Sequence, residues 1–267
     1  VVTIGVLIAM AAHLEGKGVS VLDFMGFAEK FGPVLGYLRF AARPEDIYQA
    51  RIDDGAADAL IGCDIVVSTS PKASVTYRHG MNAVINTSEM PTGDIVRCRD
   101  TDLNVTGRLG VLREAIGAAS LPTIDANTLA EQFCGDAVFA NMIMLGAAWQ
   151  HSLVPVTFSA LMRAIDLNEV AAEVNKTAFA IGRIACTDPA ALSQAYPAAN
   201  TLETLDAIID LHIDFLMNYQ NAAWAERYRV TIERVRATEK FFGTQTLTNA
   251  VARSLFKLMS YKDEYEV

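Results

Sequence analysis

The sequence predicts an α/β fold: an open, mainly parallel sheet followed by an all-helical C-terminal extension. Three observations carry this. Short apolar runs alternate with helix-period segments up to about residue 185, the pattern of strands joined by crossover helices. Asp188-Pro189 and Tyr196-Pro197 then bracket a linker, and no proline follows. Beyond it the apolar residues keep helical spacing only, with Leu202, Leu205, Ile208, Ile209, His212 and Leu216 along one face. The expected units are 1–188 and 189–267.

The first helix is read over 3–15, from Ile4, Leu7, Ile8 and Ala11, and Gly16 and Gly18 stop it. The chain thus starts inside or beside a helix, which reads as a piece of a longer polypeptide. Val19–Leu22 is an apolar run expected as a strand buried on both faces. Gly18, Gly26, Gly32, Gly36 and Pro33 then crowd a loop, and glycine lets a backbone approach a ligand or another chain closely. The same residues also suit an ordinary turn. A strand follows at 34–41, a turn at 43–46, and a buried strand at 58–63. Residues 64–77 read as strand or helix, with a boundary at Pro71.

Ala83–Thr87 is a strand ending on polar residues, and Met90-Pro91-Thr92-Gly93 is a turn. Leu109, Leu112 and Ile116 share a helix face that Gly117 closes. Pro122–Asp125 is a short strand whose exit, Asp125 or Asn127, caps the next helix. Helices follow at 138–150, from Thr157, and at 169–185. The first of these is small and methionine-rich, as close packing requires. In the extension, Asn200 and Glu203 form a capping-box-like start. Two more helices cover about 221–240 and 247–260.

With 267 residues, 52% hydrophobic and 20% charged, the chain can bury a sizeable core. A net charge of −9 argues against a duplex nucleic-acid binder or an anionic-membrane binder. Its longest apolar run, 137–149, is short of the about 18 residues a spanning helix needs. Cys63, Cys98, Cys134 and Cys186 lie 35 or more residues apart, so no CxxC signals zinc or an iron–sulfur cluster. Unpaired thiols fit a reducing, cytoplasmic setting.

Ligands of open α/β sheets sit beyond the carboxyl ends of the strands. Three such ends are visible: Asp23 with Gly26 and Lys30, Asn86-Thr87-Ser88-Glu89, and Asp125-Ala126-Asn127. Together they form a polar rim suited to a small anion or a cofactor, and capping explains most of the same residues. Gly16-Lys17-Gly18 precedes a strand rather than following one, so it fails as a dinucleotide fingerprint. The four histidines are scattered, and His212, on an apolar face, reads as a core residue. Asn175-Lys176 reads as a solvated pair or a partner contact.

Several blocks carry a resemblance. G-V-S-V-L-D-F-M-G-F-A-E-K-F-G, L-I-G-C-D, N-T-S-E-M-P-T-G, G-D-A-V-F-A-N-M-I-M-L-G-A-A-W-Q and S-Y-K-D-E-Y-E-V occur in the order seen in indolepyruvate ferredoxin oxidoreductases. These are fused members of the 2-oxoacid:acceptor oxidoreductase family. The part to about residue 185 resembles their gamma-type domain, and the remainder resembles the region after it. The resemblance implies a Rossmann-like sheet whose first strand would lie before Val1. It also implies a parent that performs thiamine-diphosphate-dependent oxidative decarboxylation of an aryl 2-oxoacid to an aryl-acetyl-CoA. That parent passes electrons through 4Fe-4S clusters to ferredoxin, and it is expected to be a homodimer.

In the family those cofactors sit in other domains, so this stretch is expected to hold none and to be inactive alone. It would contribute a wall of the active site and an assembly surface. Lys30 and Arg39 are then the candidates for a substrate carboxylate or CoA phosphates, and Asn86, Thr87 and Glu89 for polar contacts. Where fused relatives read A-Q-K-G-G-A-V-x-S-H-V-R, this chain has A-E-K-F-G-P-V-L-G-Y-L-R, so contacts of the Ser-His pair do not carry over. The rival readings are a structural interaction module and a nucleotide-binding regulatory domain.

Overall fold

The computed structural model describes residues 2–25, 33–89, 102–117, 121–195 and 204–260. The chain divides into two compact units, 1–196 and 197–267.

The first unit opens with α1 (Val2–Leu14), whose Ile4, Leu7, Ile8 and Ala11 form the buried stripe that their spacing demands. Then come β1 (Gly18–Met25) and β2 (Val34–Ala41), paired antiparallel from Gly18 opposite Ala41 to Met25 opposite Val34. This corrects the expectation of a doubly buried strand at 19–22, since Val19–Leu22 are only half-buried. The connection 26–33 is too short for the crossover of about a dozen residues that a parallel neighbour needs, so the chain turns back on itself.

The parallel sheet is β3 (Ala57–Gly62), β4 (Tyr77–Asn86) and β5 (Thr123–Ile124), in that order. Leu60, Ile61 and Gly62 lie opposite Ala83, Val84 and Ile85, and Ile85 and Asn86 lie opposite Thr123 and Ile124. Between β3 and β4 the ambiguous stretch folds as two single-turn helices, α2 (Ile65–Ser68) and α3 (Pro71–Ser74). The side chains of Asp64 and Ser70 accept bonds from their first-turn amides. Helix α4 (Val105–Ile116) ends at Gly117 in the left-handed conformation, φ 71°.

Helix α5 (Ala126–Cys134) is capped by Asp125, and a 3₁₀ turn at Ala137–Phe139 leads into α6 (Ala140–Gln150). Thr157 caps α7 (Phe158–Asn168), and α8 (Ala172–Thr187) follows. Residues 189–195, expected as a linker, form α9 (Pro189–Ala195). Asp188 accepts a bond from the Ala191 amide at 3.1 Å and Pro189 opens the helix, a pairing that starts helices rather than breaking chains. Leu192 is buried in the first unit's core.

Side chains alternate across the parallel sheet, so each face has its own core. Ile61 and Val84 join α1, α6 and α8, whereas Leu60, Ala83 and Ile85 meet Leu112 and Ile116 of α4. Helix α6 is buried except at Asn141, Trp149 and Gln150, so its methionines and small residues serve packing. It crosses α8 at two glycines: a Cβ on Gly146 would overlap the Phe179 carbonyl, and one on Gly182 the Ile143 carbonyl. At the end of this pair, Arg183 lies over Trp149 and Phe158, 5.0 and 5.2 Å from the ring centroids. Asn175 and Lys176 are spent locally. Asn175 donates to the Val170 carbonyl at 2.8 Å, and Lys176 pairs with Asp166 at 2.5 Å and Glu173 at 3.0 Å.

The second unit packs α10 (Leu205–Tyr219), α11 (Ala222–Glu239) and α12 (Thr246–Met259) around Ile209, Leu216, Tyr228, Ile232 and Ala252. Thr204 caps α10; the expected pair Asn200 and Glu203 lies outside the described residues. His212 stacks on Phe256 at 3.8 Å. Tyr228 donates its hydroxyl proton to the Ala252 carbonyl at 3.1 Å, so the His212 Nδ1, 2.8 Å from the Tyr228 hydroxyl oxygen, carries a proton and donates it there.

Candidate functional site

The carboxyl ends of β3, β4 and β5 meet in one polar rim. Asn86 ends β4 and is 2% exposed. Its amide donates to the Cys63 carbonyl, past the end of β3, at 3.1 Å and to Asn127 Oδ1 at 3.0 Å. Its Oδ1 accepts from the backbone amides of Ser88, at 3.1 Å, and Ala126, at 3.0 Å. One carboxamide thus ties three strand ends and the start of α5. The Ser88 hydroxyl lies 2.6 Å from Asp125 Oδ1 and 2.8 Å from Asn86 Oδ1. It has one proton, and the bond to the charged acceptor is the stronger, so the proton goes to Asp125. The Ser88 hydroxyl oxygen accepts from the Asn127 amide at 3.1 Å.

Asp125 also accepts from the Thr128 amide at 3.1 Å and the Thr128 hydroxyl at 2.8 Å. Burial pushes its carboxyl up, but the bonds from Ser88 and Thr128 outweigh that and hold it below the usual carboxylate value. On the β3 side, Asp64 accepts from the amides of Val66 at 2.7 Å and Val67 at 3.1 Å. Burial pushes the adjacent Cys63 thiol up to about 11, so it stays protonated and unreactive at neutral pH. Arg108 of α4 completes the neighbourhood, donating to Thr69 Oγ1 at 2.6 Å and to the Leu103 carbonyl at 2.8 Å.

Of the residues singled out from the sequence, Asn86, Thr87 and Glu89 sit together here. Thr87 is half-buried with its amide on the Ile124 carbonyl at 2.9 Å, and Glu89 is exposed. Arg39 lies on β2, donates to the Arg51 carbonyl at 3.0 Å and lines a cavity of about 630 Å³ beside β3. Asp23 lines the same cavity, which also reaches Cys63, Asp64 and Ser68 at the end of β3. Lys30 and the turn 90–93 lie outside the described residues. Sequence reasoning missed Asp64 and Arg108. The signal for Asp64 was available, because an aspartate following a strand run and opening a short helix is a cap.

The donor set of the rim does not suit a diphosphate. Helix N-termini hold phosphate through free amides, and the first-turn amides of α2 and α5 are already taken by Asp64 and Asp125. Nor do Cys63, Cys134 and Cys186 assemble a cluster: among the described residues no three His, Cys, Asp or Glu side chains converge.

Comparison with known proteins follows the two units. Residues 1–185 match the pyruvate ferredoxin/flavodoxin oxidoreductase family, and residues 205–267 match a family of unknown function, DUF6537. The indolepyruvate oxidoreductase subunits IorB of Thermococcus kodakarensis and of Pyrococcus horikoshii are each 25% identical over 188 residues, covering 68% of this chain and 88% of the subunit. The gamma subunit of a keto/oxoacid ferredoxin oxidoreductase from Geobacter sulfurreducens superposes with a TM-score of 0.41 at 19% identity, over 69% of this chain and 89% of that one. The match over 1–185 takes in most of the chain, and the resemblance read from its sequence blocks holds at that level: the chain belongs to the pyruvate ferredoxin/flavodoxin oxidoreductase family.

Proposed function

We propose that this chain is the gamma-type part of a 2-oxoacid:ferredoxin oxidoreductase acting on indolepyruvate or a related arylpyruvate, and that it shapes the active site without performing the chemistry. The parent reaction would be oxidative decarboxylation to an aryl-acetyl-CoA, with thiamine diphosphate supplying the carbanion chemistry and iron–sulfur clusters passing electrons to ferredoxin. Those groups would be held by other domains or subunits.

The observation that carries the scaffold reading is the rim itself. Asn86, Ser88, Asp125 and Asp64 spend their hydrogen bonds on one another and on the backbone. A rim bonded in this way is rigid and presents a fixed surface, which suits a wall of an active site better than its reacting centre. Thr87 and Glu89, just beyond Asn86, are the positions from which a polar contact could reach outward. Lys30 and Arg39 are proposed to draw the substrate carboxylate or CoA phosphates; a charged hydrogen bond of this kind is worth about 1.5–3 kcal/mol, enough to orient a ligand.

Titration calorimetry of residues 1–267 with CoA tests the ligand role of the two cations. Measurable binding that weakens in Lys30→Ala and Arg39→Ala supports it. Heat of dilution alone, in a folded sample, removes that role and leaves a purely structural module.

A further inference from the structure

Three helices of the first unit bring an arginine and three aromatic rings to one place. Trp149 and Gln150 close α6, Phe158 opens α7, and Phe179 and Arg183 lie one turn apart on the same face of α8. Phe179 is fully buried and forms the base, 6.1 Å from each of the other two rings, which stand 5.8 Å apart. Trp149 is fixed by its indole N–H, which donates to the Val156 carbonyl at 2.8 Å. The Arg183 guanidinium rests on both outer rings, and its Nε donates to Gln150 Oε1 at 2.9 Å.

Ring packing and one hydrogen bond thus hold the guanidinium, and they use only Nε. Among the described residues no acceptor meets its two terminal nitrogens. These form a fork whose spacing matches the two oxygens of a carboxylate. The chain carries an excess of acid, with a net charge of −9, and Arg43, Arg78 and Arg229 are each paired with carboxylates. Arg183 is held in place and given none. A long cation loses rotamer freedom when it forms an ion pair, and here the rings have already removed that freedom.

The strength of such a pair says where the carboxylate comes from. One half-exposed fork holds a free small anion poorly, because the pair gains little in water and must offset all of the ion's lost freedom by itself. A carboxylate carried on a protein surface shares that cost with the rest of the interface. Tryptophan and arginine clustered among apolar contacts are also the residues that dominate protein interfaces. Phe158, 42% exposed, supplies apolar surface beside the fork.

We infer that Arg183 is a docking point for an Asp or Glu side chain of another domain or subunit of the assembly, received by the terminal guanidinium fork against Trp149 and Phe158. This rests on the proposed function, which supplies the partner, and it names the chemistry that the partner presents.

Zero-length coupling tests it in the intact assembly expressed with Arg183→Lys, which keeps the cation and offers carbodiimide an amine to join to a contacting carboxylate. Lys176 and Asp166, 2.5 Å apart, are the internal control. Peptide mass spectrometry is expected to find position 183 joined to an Asp or Glu outside residues 1–267. On the unchanged protein, phenylglyoxal should modify Arg183 at least about ten-fold more slowly in the assembly than in residues 1–267 alone, as an interface that excludes water requires. Equal modification in the two forms overturns the inference. Slower modification with no coupling from position 183, while Lys176 couples to Asp166, means a cover without a carboxylate and also overturns it. So does coupling confined to residues 1–267, which assigns the fork to this chain or a second copy. Each of these leaves the proposed function standing, whereas a native preparation with no other domain or subunit contradicts both.

Discussion

Asn86 satisfies the carbonyl of Cys63 and the amides of Ser88 and Ala126 from a buried position. Removing a buried partner costs about 1–3 kcal/mol for the groups it leaves unpaired. Asn86→Ala is therefore expected to destabilise the first unit by about 2–3 kcal/mol. The two tryptophans separate the units, Trp149 in the first and Trp224 in the second. In urea, the transition reported by Trp149 should move to lower denaturant and that reported by Trp224 should stay. An unmoved Trp149 transition would mean that the carboxamide contributes nothing. The sequence marked Asn86 as a polar strand end and a candidate polar contact. Its inward role depends on Ala126 and Asn127, some forty residues away, and no local pattern encodes that.

At the scale of elements, the α6–α8 crossing depends on two glycines. Alanine favours a helix over glycine by about 1 kcal/mol, so an unobstructed Gly→Ala stabilises. Gly110, exposed on α4 with open space where a Cβ would stand, is such a site, and Gly110→Ala should raise stability by up to about 1 kcal/mol. At Gly146 and Gly182 the new methyl meets a carbonyl oxygen of the facing helix, and backbone cannot step aside as a side chain can. Gly182→Ala should cost about 1–3 kcal/mol, the usual range for overpacking, despite the gain in propensity. Thermal unfolding of the two variants side by side checks the opposite signs.

A second element-scale device caps α12. Glu239, at the end of α11, accepts from the Leu247 and Thr248 amides, each at 2.7 Å, and from the hydroxyls of Thr244 and Thr248. Burial raises its carboxyl, and these bonds more than reverse that, bringing it down to about 2 from an ordinary 4.5. A depressed carboxylate stabilises fully above its unfolded value and loses that stabilisation as pH falls through its folded value. The second unit should therefore weaken between about pH 4.5 and pH 2. Glu239→Gln should be less stable at neutral pH and should lose less over that interval, with Trp224 fluorescence as the readout. A variant with the wild-type acid profile would contradict the cap.

What was legible among the elements follows the range of the forces. Helix ends set by local residues, such as Gly117, Asp125 and Thr157, read directly from the chain. The antiparallel hairpin was also within reach, because the length of 26–33 excludes a crossover. The Asp188-Pro189 helix was misread as a linker because proline breaks a helix interior and opens a helix start, and burial of Leu192 decides between them.

For the whole molecule, the alternation of strands and helices and the change of pattern near residue 190 were enough to predict a parallel α/β unit followed by helices. The cavity between β2 and β3 was not, because it depends on which elements the fold brings to face each other. The parent activity rested on sequence blocks, since the rim offers no reacting group that spacing could have revealed. In the proposed function this chain is a rigid, non-catalytic part of a larger oxidoreductase. Viologen reduction with indolepyruvate, CoA and thiamine diphosphate, run on residues 1–267 and on the assembly from the native source, is the sharpest test of that role. CoA-dependent reduction is expected from the native assembly and none from residues 1–267; turnover by residues 1–267 alone, or an inert native assembly, would contradict it.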